Sequence, residues 1–132
     1  MSNGVELRTF TEFDDNLVSS LDDSHVSEWS RHRSIRARHR VTTQPLADIL
    51  DAHNAPHDFE LLTVDVEGHD LEVLRSLRMP QYRPYVIVVE LHGFDLYSAT
   101  HESVVALLAD NGYRMVAFAK PNGFFLRTVA GT

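Results

Sequence analysis

From Val41 onward, short apolar runs of strand character alternate with segments whose apolar residues return at helical spacing. That order leaves few folds open, because strands separated by helices pair in parallel and carry the helices on their faces. Leu61-Leu62-Thr63-Val64-Asp65-Val66 is apolar and partly β-branched, and Glu67-Gly68 closes it. Such a run predicts a strand buried on both faces. Leu71, Val73, Leu74 and Leu77 then recur at helical intervals up to Met79-Pro80. Pro84 introduces a second buried strand over residues 85–91, and a helix follows over about 101–111 with Gly112 as its C-cap. Upstream, Thr42 or Thr43 caps a helix over residues 45–53, with Pro45 in its first turn. Residues 113–119 and 123–129 read as an antiparallel hairpin around Lys120-Pro121-Asn122-Gly123, where Asn-Gly is the turn signal. The predicted fold class is α/β, a mostly parallel sheet with a C-terminal antiparallel hairpin.

The 132 residues are 43% apolar, enough for one domain with a real core. A net charge of −7 argues against general attraction to nucleic acid or to an anionic membrane. With no cysteine there is no disulfide framework, thiolate zinc site or thiol nucleophile. No apolar run approaches the roughly 20 residues that span a bilayer, and the start of the chain has neither the basic nor the apolar part of an export signal. The expectation is a soluble, cytoplasmic protein. The charge is unevenly spread: residues 31–40 hold five arginines, two histidines and no acid, so the rest of the chain carries −12. This divides the chain into a charged N-terminal segment, 1–40, acting as linker or lid, and a patterned α/β part, 41–132. Residues 5–10 alternate enough for a strand; residues 14–40 show no clean period, which leaves helix, lid and disorder open.

In open α/β sheets, ligands bind outside the carboxyl ends of the strands. Two such ends carry polar clusters, Asp65-Val66-Glu67-Gly68-His69-Asp70 and Glu90-Leu91-His92-Gly93. Asp65 and Glu67 are two apart on an extended chain and point to one side. If the two strands are neighbours, Asp65, Glu67 and Glu90 converge with His69 and His92 on one crevice. Burying that much negative charge is costly unless a cation, a metal or hydrogen-bond donors compensate it. The competing reading is structural, since Asp70 or Glu67 can serve the N-terminus of the next helix. His25, His32, His39, His53, His57 and His101 are read as surface residues. His53 and His57 have i, i+4 spacing, but Pro56 interrupts the helix they need, and no metal site is assigned.

The segment from Thr63 to Ser76, Thr-Val-Asp-Val-Glu-Gly-His-Asp-Leu-Glu-Val-Leu-Arg-Ser, resembles the signature of the FkbM-type methyltransferases. Val41-Thr42-Thr43 with Leu46-Ala47-Asp48-Ile49-Leu50, Tyr82-Arg83-Pro84 into Val86–Glu90, and Gly112-Tyr113 to Asn122-Gly123-Phe124 are similar to its flanking segments in order and spacing. The resemblance implies a Rossmann-like sheet and S-adenosylmethionine as cofactor. It further implies O-methylation of a small-molecule acceptor, a sugar or natural-product hydroxyl. The family's glycine-rich turn after its first strand is missing: the six glycines, 4, 68, 93, 112, 123 and 131, include no Gly-x-Gly pair. Against the family order 3-2-1-4-5-7-6, the chain looks like a C-terminal half that keeps strands 4, 5, 7 and 6. Cofactor-binding residues therefore stay unassigned, the isolated chain is expected to be inactive or weakly active, and strand 61–66 becomes an apolar edge. Such an edge invites a second copy or a partner chain.

For a hydroxyl acceptor, the residue types suggest Asp65 and Glu67 at the reaction centre and His69 as proton acceptor, with Glu90 and His92 orienting the acceptor. Arg31, Arg33, Arg36, Arg38 and Arg40 are read first as a solvated face that balances the acidic N-terminus, and second as a grip for a phosphorylated acceptor. Nucleic acid is disfavoured, with Trp29 the only aromatic nearby. Two other readings stay beside the enzyme: a non-catalytic binding module that pairs through its sheet edge, and a hydrolase using the acid pair.

Overall fold

The computed structural model describes residues 5–14, 19–21, 23–94 and 103–129. The chain forms two compact units, one of residues 1–45 with 66–69 and one of residues 46–65 with 70–132. The residue-40 boundary read from charge lies inside a strand.

The first unit holds β1 (Glu6–Phe13), β2 (Ser19–Ser20), α1 (Asp23–Trp29) and β3 (Ile35–Thr43). They form an antiparallel sheet in the order β2-β1-β3. The arginine-rich decapeptide is thus a strand for most of its length. Its alternation is real but written in charge: Arg36, Arg38 and Arg40 take every second position, with Ile35, Ala37, His39 and Val41 between them. Glu12 of β1 pairs with both Arg36 (3.3 Å) and His39 (3.0 Å) across the ladder. The apolar anchor is Phe13, fully buried, with Trp29 edge-on at 5.9 Å.

The second unit holds α2 (Leu46–Ala52), β4 (Leu61–Val64), α3 (Asp70–Ser76), β5 (Val86–Glu90), α4 (Ser103–Asp110), β6 (Tyr113–Ala119) and β7 (Asn122–Arg127). Its sheet runs β4-β5-β7-β6, the order implied for strands 4, 5, 7 and 6. The sheet is not mostly parallel. Among the described residues only β4 and β5 pair in parallel; β7 is antiparallel to both β5 and β6. The reason is that the β6–β7 hairpin folds back to set its second strand against β5, which fixes the direction of both remaining ladders. Nor is β4 buried on both faces: Leu61 is 54% exposed and Val64 is buried, because β4 is an edge with β5 as its one neighbour among the described residues. The core gathers Ile87, Val89, Phe125, Leu74, Leu77 and Leu108.

The hairpin turn is shorter than the Asn-Gly signal predicts. Ala119 pairs with Asn122, so Lys120-Pro121 forms the loop, with a cis bond between them, and Asn122-Gly123 opens β7. Gly123 is needed for packing instead: a Cβ there would lie 2.7 Å from Leu91 Cδ1. Gly112 follows α4 at φ +79°, as its predicted C-cap role requires. No helix among the described residues is long and apolar enough to cross a membrane.

Between α2 and the segment after α3, Asp51 accepts hydrogen bonds from the Tyr82 hydroxyl (2.5 Å), Arg78 Nη1 (3.1 Å) and Gln81 Nε2 (3.1 Å), and Arg78 also pairs with Asp48. The Tyr82 hydroxyl, aided by Arg78 and Gln81 and opposed by partial desolvation, holds the Asp51 carboxyl below the usual carboxylate range. The same bond pushes Tyr82 up. A depressed carboxylate pKa stabilises the fold above the unfolded value and loses that contribution as pH falls through the folded one. Asp51→Asn is therefore expected to lower the urea midpoint at neutral pH, with the gap to wild type closing under acid conditions. A gap that stays constant with pH would contradict this role.

Candidate functional site

Leu61 pairs with Val86 and Val64 with Val89 along the parallel ladder. Both strands consequently end at one edge, β5 with Glu90 and β4 with Asp65 as the next residue. Asp65 is exposed. Glu90 is paired through its backbone with Asn122, which brings the β6–β7 loop to the same edge. Beyond β5 the chain is anchored twice. The Leu91 N–H donates to the Pro121 carbonyl (2.8 Å) while its side chain is buried, and Phe94 packs edge-on to Phe118 at 4.9 Å. His92-Gly93 lies between these anchors, with Gly93 at φ +70°.

His92 Nε2 stands 3.0 Å from Glu90 Oε2, and the glutamate is mostly buried (18% exposed) while the imidazole is open (56%). An ionised carboxylate only accepts, so Nε2 carries the proton that joins them and Nδ1 of the neutral ring is left with a lone pair. A carboxylate holding an imidazole by one nitrogen, with the other free to accept, is the arrangement of an oriented general base. Residue type alone assigned His92 to acceptor orientation; the contact with Glu90 orients its ring through Nε2.

The signature turn belongs to the first unit. Glu67 has φ +47° and Gly68 φ +97°. The left-handed region costs a non-glycine residue on the order of 1–3 kcal/mol. Two donors hold the turn there: Ser20 Oγ (3.2 Å) and His25 Nδ1 (2.9 Å) both donate to the Glu67 carbonyl. His25 is half-buried and stacked on Trp29 at 5.2 Å, so its reading as a surface residue is corrected. Arg8 Nη1 reaches His69 Nε2 at 3.0 Å, and Arg8 also binds Glu6 Oε2 through Nε and Nη2. A guanidinium cannot accept, so His69 Nε2 must, and the ring proton sits on Nδ1. That Nδ1 is buried without a hydrogen-bond partner among the described residues. The lone pair on which proton transfer to His69 depends is already engaged.

Arg8, Ser20 and His25 were not legible as site-supporting residues, because each acts on a turn at least 42 positions away, two of them through a backbone carbonyl. Only the i, i+4 spacing of His25 and Trp29 hinted at a built face. Asp70 is buried at the first position of α3, with Glu72 in the same turn, which suits the helix N-terminus. His32, His39, His53 and His57 are exposed; His101 lies outside the described residues.

A nucleoside cofactor gripped through backbone amides needs a strand followed by closely spaced glycines. The turns after β4 and β5 carry one left-handed glycine each, Gly68 and Gly93. The described residues do not form that cradle.

Comparison with curated proteins and with solved structures gives no significant match. The profile of the methyltransferase FkbM domain matches residues 3–115, a span that runs from β1 through α4 to the start of β6. The chain belongs to the FkbM methyltransferase domain family.

Proposed function

We propose that the chain carries the acceptor side of an S-adenosylmethionine-dependent methyltransferase that O-methylates a sugar or natural-product hydroxyl in the cytoplasm. The observation that supports this is the edge at which β4 and β5 finish together, with Asp65 following one strand and the Glu90–His92 pair ending the other. A hydroxyl becomes a competent nucleophile as it loses its proton, and a positioned base contributes typically 10²–10⁴-fold. In this reading His92 Nδ1 takes that proton, and Glu90 steadies the imidazolium that results. Asp65 accepts hydrogen bonds from the acceptor's hydroxyls, and Glu67 is assigned to the reaction centre on residue type alone. His69 accepts a proton only after Arg8 releases it, so its part is to hold the turn. The cradle for S-adenosylmethionine comes from a segment other than the described residues.

Asp65→Asn and Glu67→Gln are each expected to abolish transfer of labelled methyl from S-adenosylmethionine to a panel of sugar and natural-product hydroxyls, with circular dichroism unchanged. Wild-type rates in both variants would remove these residues from the reaction centre.

A second reading is favoured by one observation. β4 has a single neighbour among the described residues, and Leu61 is open on it. Such an edge fits a non-catalytic module that pairs with a second copy or a partner chain. Absence of calorimetric heat with millimolar S-adenosylmethionine, together with a dimer on size exclusion, would favour this module; a monomer at all concentrations would end its pairing with a second copy.

A further inference from the structure

At the sheet edge opposite Glu90, where β5 begins and β7 ends, an open cleft of about 600 Å³ is lined by Met79, Pro80, Arg83, Asp110, Gly112 and Thr128 among others. The backbone of Arg83 is fixed on both sides. Its N–H donates to the His57 carbonyl (2.6 Å), and its carbonyl accepts from Arg127 Nη1 (2.7 Å). Among the described residues its guanidinium has neutral partners only, one of them the Tyr113 side chain, which it hydrogen-bonds. Nη2 reaches the Asn111 carbonyl only at 3.5 Å, the outer limit of a hydrogen bond, and Nε is buried with no partner among the described residues. No described carboxylate forms an ion pair with Arg83 or with its neighbour Arg127, which lies over the Tyr85 ring at 4.0 Å.

An arginine cannot shed its charge, and a buried donor left unmade costs about 1–3 kcal/mol, more when it is charged. A protein of net charge −7 that nevertheless leaves two guanidinium groups without a carboxylate ion-pair partner at one edge holds positive potential there, opposed on the cleft lining by the exposed Asp110. Gly112 keeps the guanidinium accessible. At φ +79° it ends α4, and a Cβ on it would stand 3.1 Å from Arg83 Nη2 and 3.4 Å from Thr128 Oγ1. Thr128 closes the loop on that side by donating through both N–H and Oγ1 to the Gly112 carbonyl, each at 2.7 Å.

We infer that the Arg83 cleft binds a small oxyanion, a phosphate or a carboxylate group, through the outer Nη nitrogens of Arg83. The hidden Nε is then the cost of holding the outer edge of the fork toward the cleft, and the anion offsets it. Asp110, exposed on the same lining, opposes a purely anionic ligand. It favours one that also carries a hydroxyl or ammonium group for the acid to accept from. This site is independent of the methyl-transfer reading, since none of its residues lies at the carboxyl edge.

The test is titration of the isotopically labelled chain with inorganic phosphate and, separately, with acetate, each at constant ionic strength. The readouts are the Arg83 Nε–H and the Gly112 and Thr128 amide resonances. Saturable shifts confined to these groups are expected, together with at least a tenfold loss of affinity in Arg83→Gln. Asp110→Asn, a change at an exposed position, is expected to tighten binding severalfold, and it keeps the proposal testable should Arg83→Gln fail to fold. Phosphate outcompeting acetate would name the ligand's anionic group as a phosphate, and the reverse as a carboxylate. No saturable shift with either anion, shifts that survive in Arg83→Gln, or an affinity that Asp110→Asn leaves unchanged would overturn the site.

Discussion

Glu90→Gln is expected to lower methyl transfer by about 10²–10⁴-fold while leaving the fold and the unfolding midpoint close to wild type. Glutamine keeps the size of glutamate and can still accept one hydrogen bond from His92 Nε2. It cannot balance the positive charge that His92 acquires when its other nitrogen takes a proton. The loss therefore falls on turnover, with acceptor affinity little changed. The fold should tolerate the change because Glu90 is held through its backbone pairing with Asn122 and through the burial of Leu91 next to it. Steady-state kinetics alongside urea unfolding separates the two effects. A large drop in stability with a matching drop in activity would make Glu90 a structural residue.

The largest stability effect should come from Phe125→Ala, a loss of about 3–5 kcal/mol. Phe125 is 1% exposed on β7, pairing with Ile87 of β5 on one side and Met115 of β6 on the other. Removing the ring empties the middle of a sheet that is four strands wide among the described residues, and nothing on a central strand can move in to fill it without breaking two ladders. Small domains hold only about 5–15 kcal/mol in total, so the variant should be partly unfolded near physiological temperature. Leu126→Ala is the control: that side chain is 40% exposed on the opposite face of the same strand and should cost far less. Equal losses for the two, measured by denaturant unfolding, would mean that the core is not where the burial places it.

What could be read from the sequence follows from where burial writes a pattern. β4, β5, α3, α4 and the hairpin strands are apolar runs or apolar helical repeats, and each forms within a few residues of its predicted place. β3 escaped because its alternation is arginine against small or mixed residues, a pattern that a solvent-facing strand produces without any hydrophobic signal. The parallel character of the sheet was overestimated because alternation of helices and strands says nothing about which hairpin strand turns back to meet β5. The loop at Lys120-Pro121 was displaced by reading Asn122-Gly123 as a turn; the glycine is there for Leu91, a contact 32 residues away. Near the site, the parallel pairing of β4 with β5, which sets Asp65 and Glu90 at one edge, was legible. The contacts of the two imidazoles were not, because they depend on Arg8 and Glu90 reaching one ring nitrogen of each.

The most direct test is a double-mutant cycle on labelled methyl transfer, comparing wild type, Glu90→Gln, His92→Ala and the double variant. If Glu90 acts through His92 as one proton-accepting unit, the double variant will be no slower than His92→Ala alone. Losses that multiply, or single variants that turn over at the wild-type rate, would contradict it.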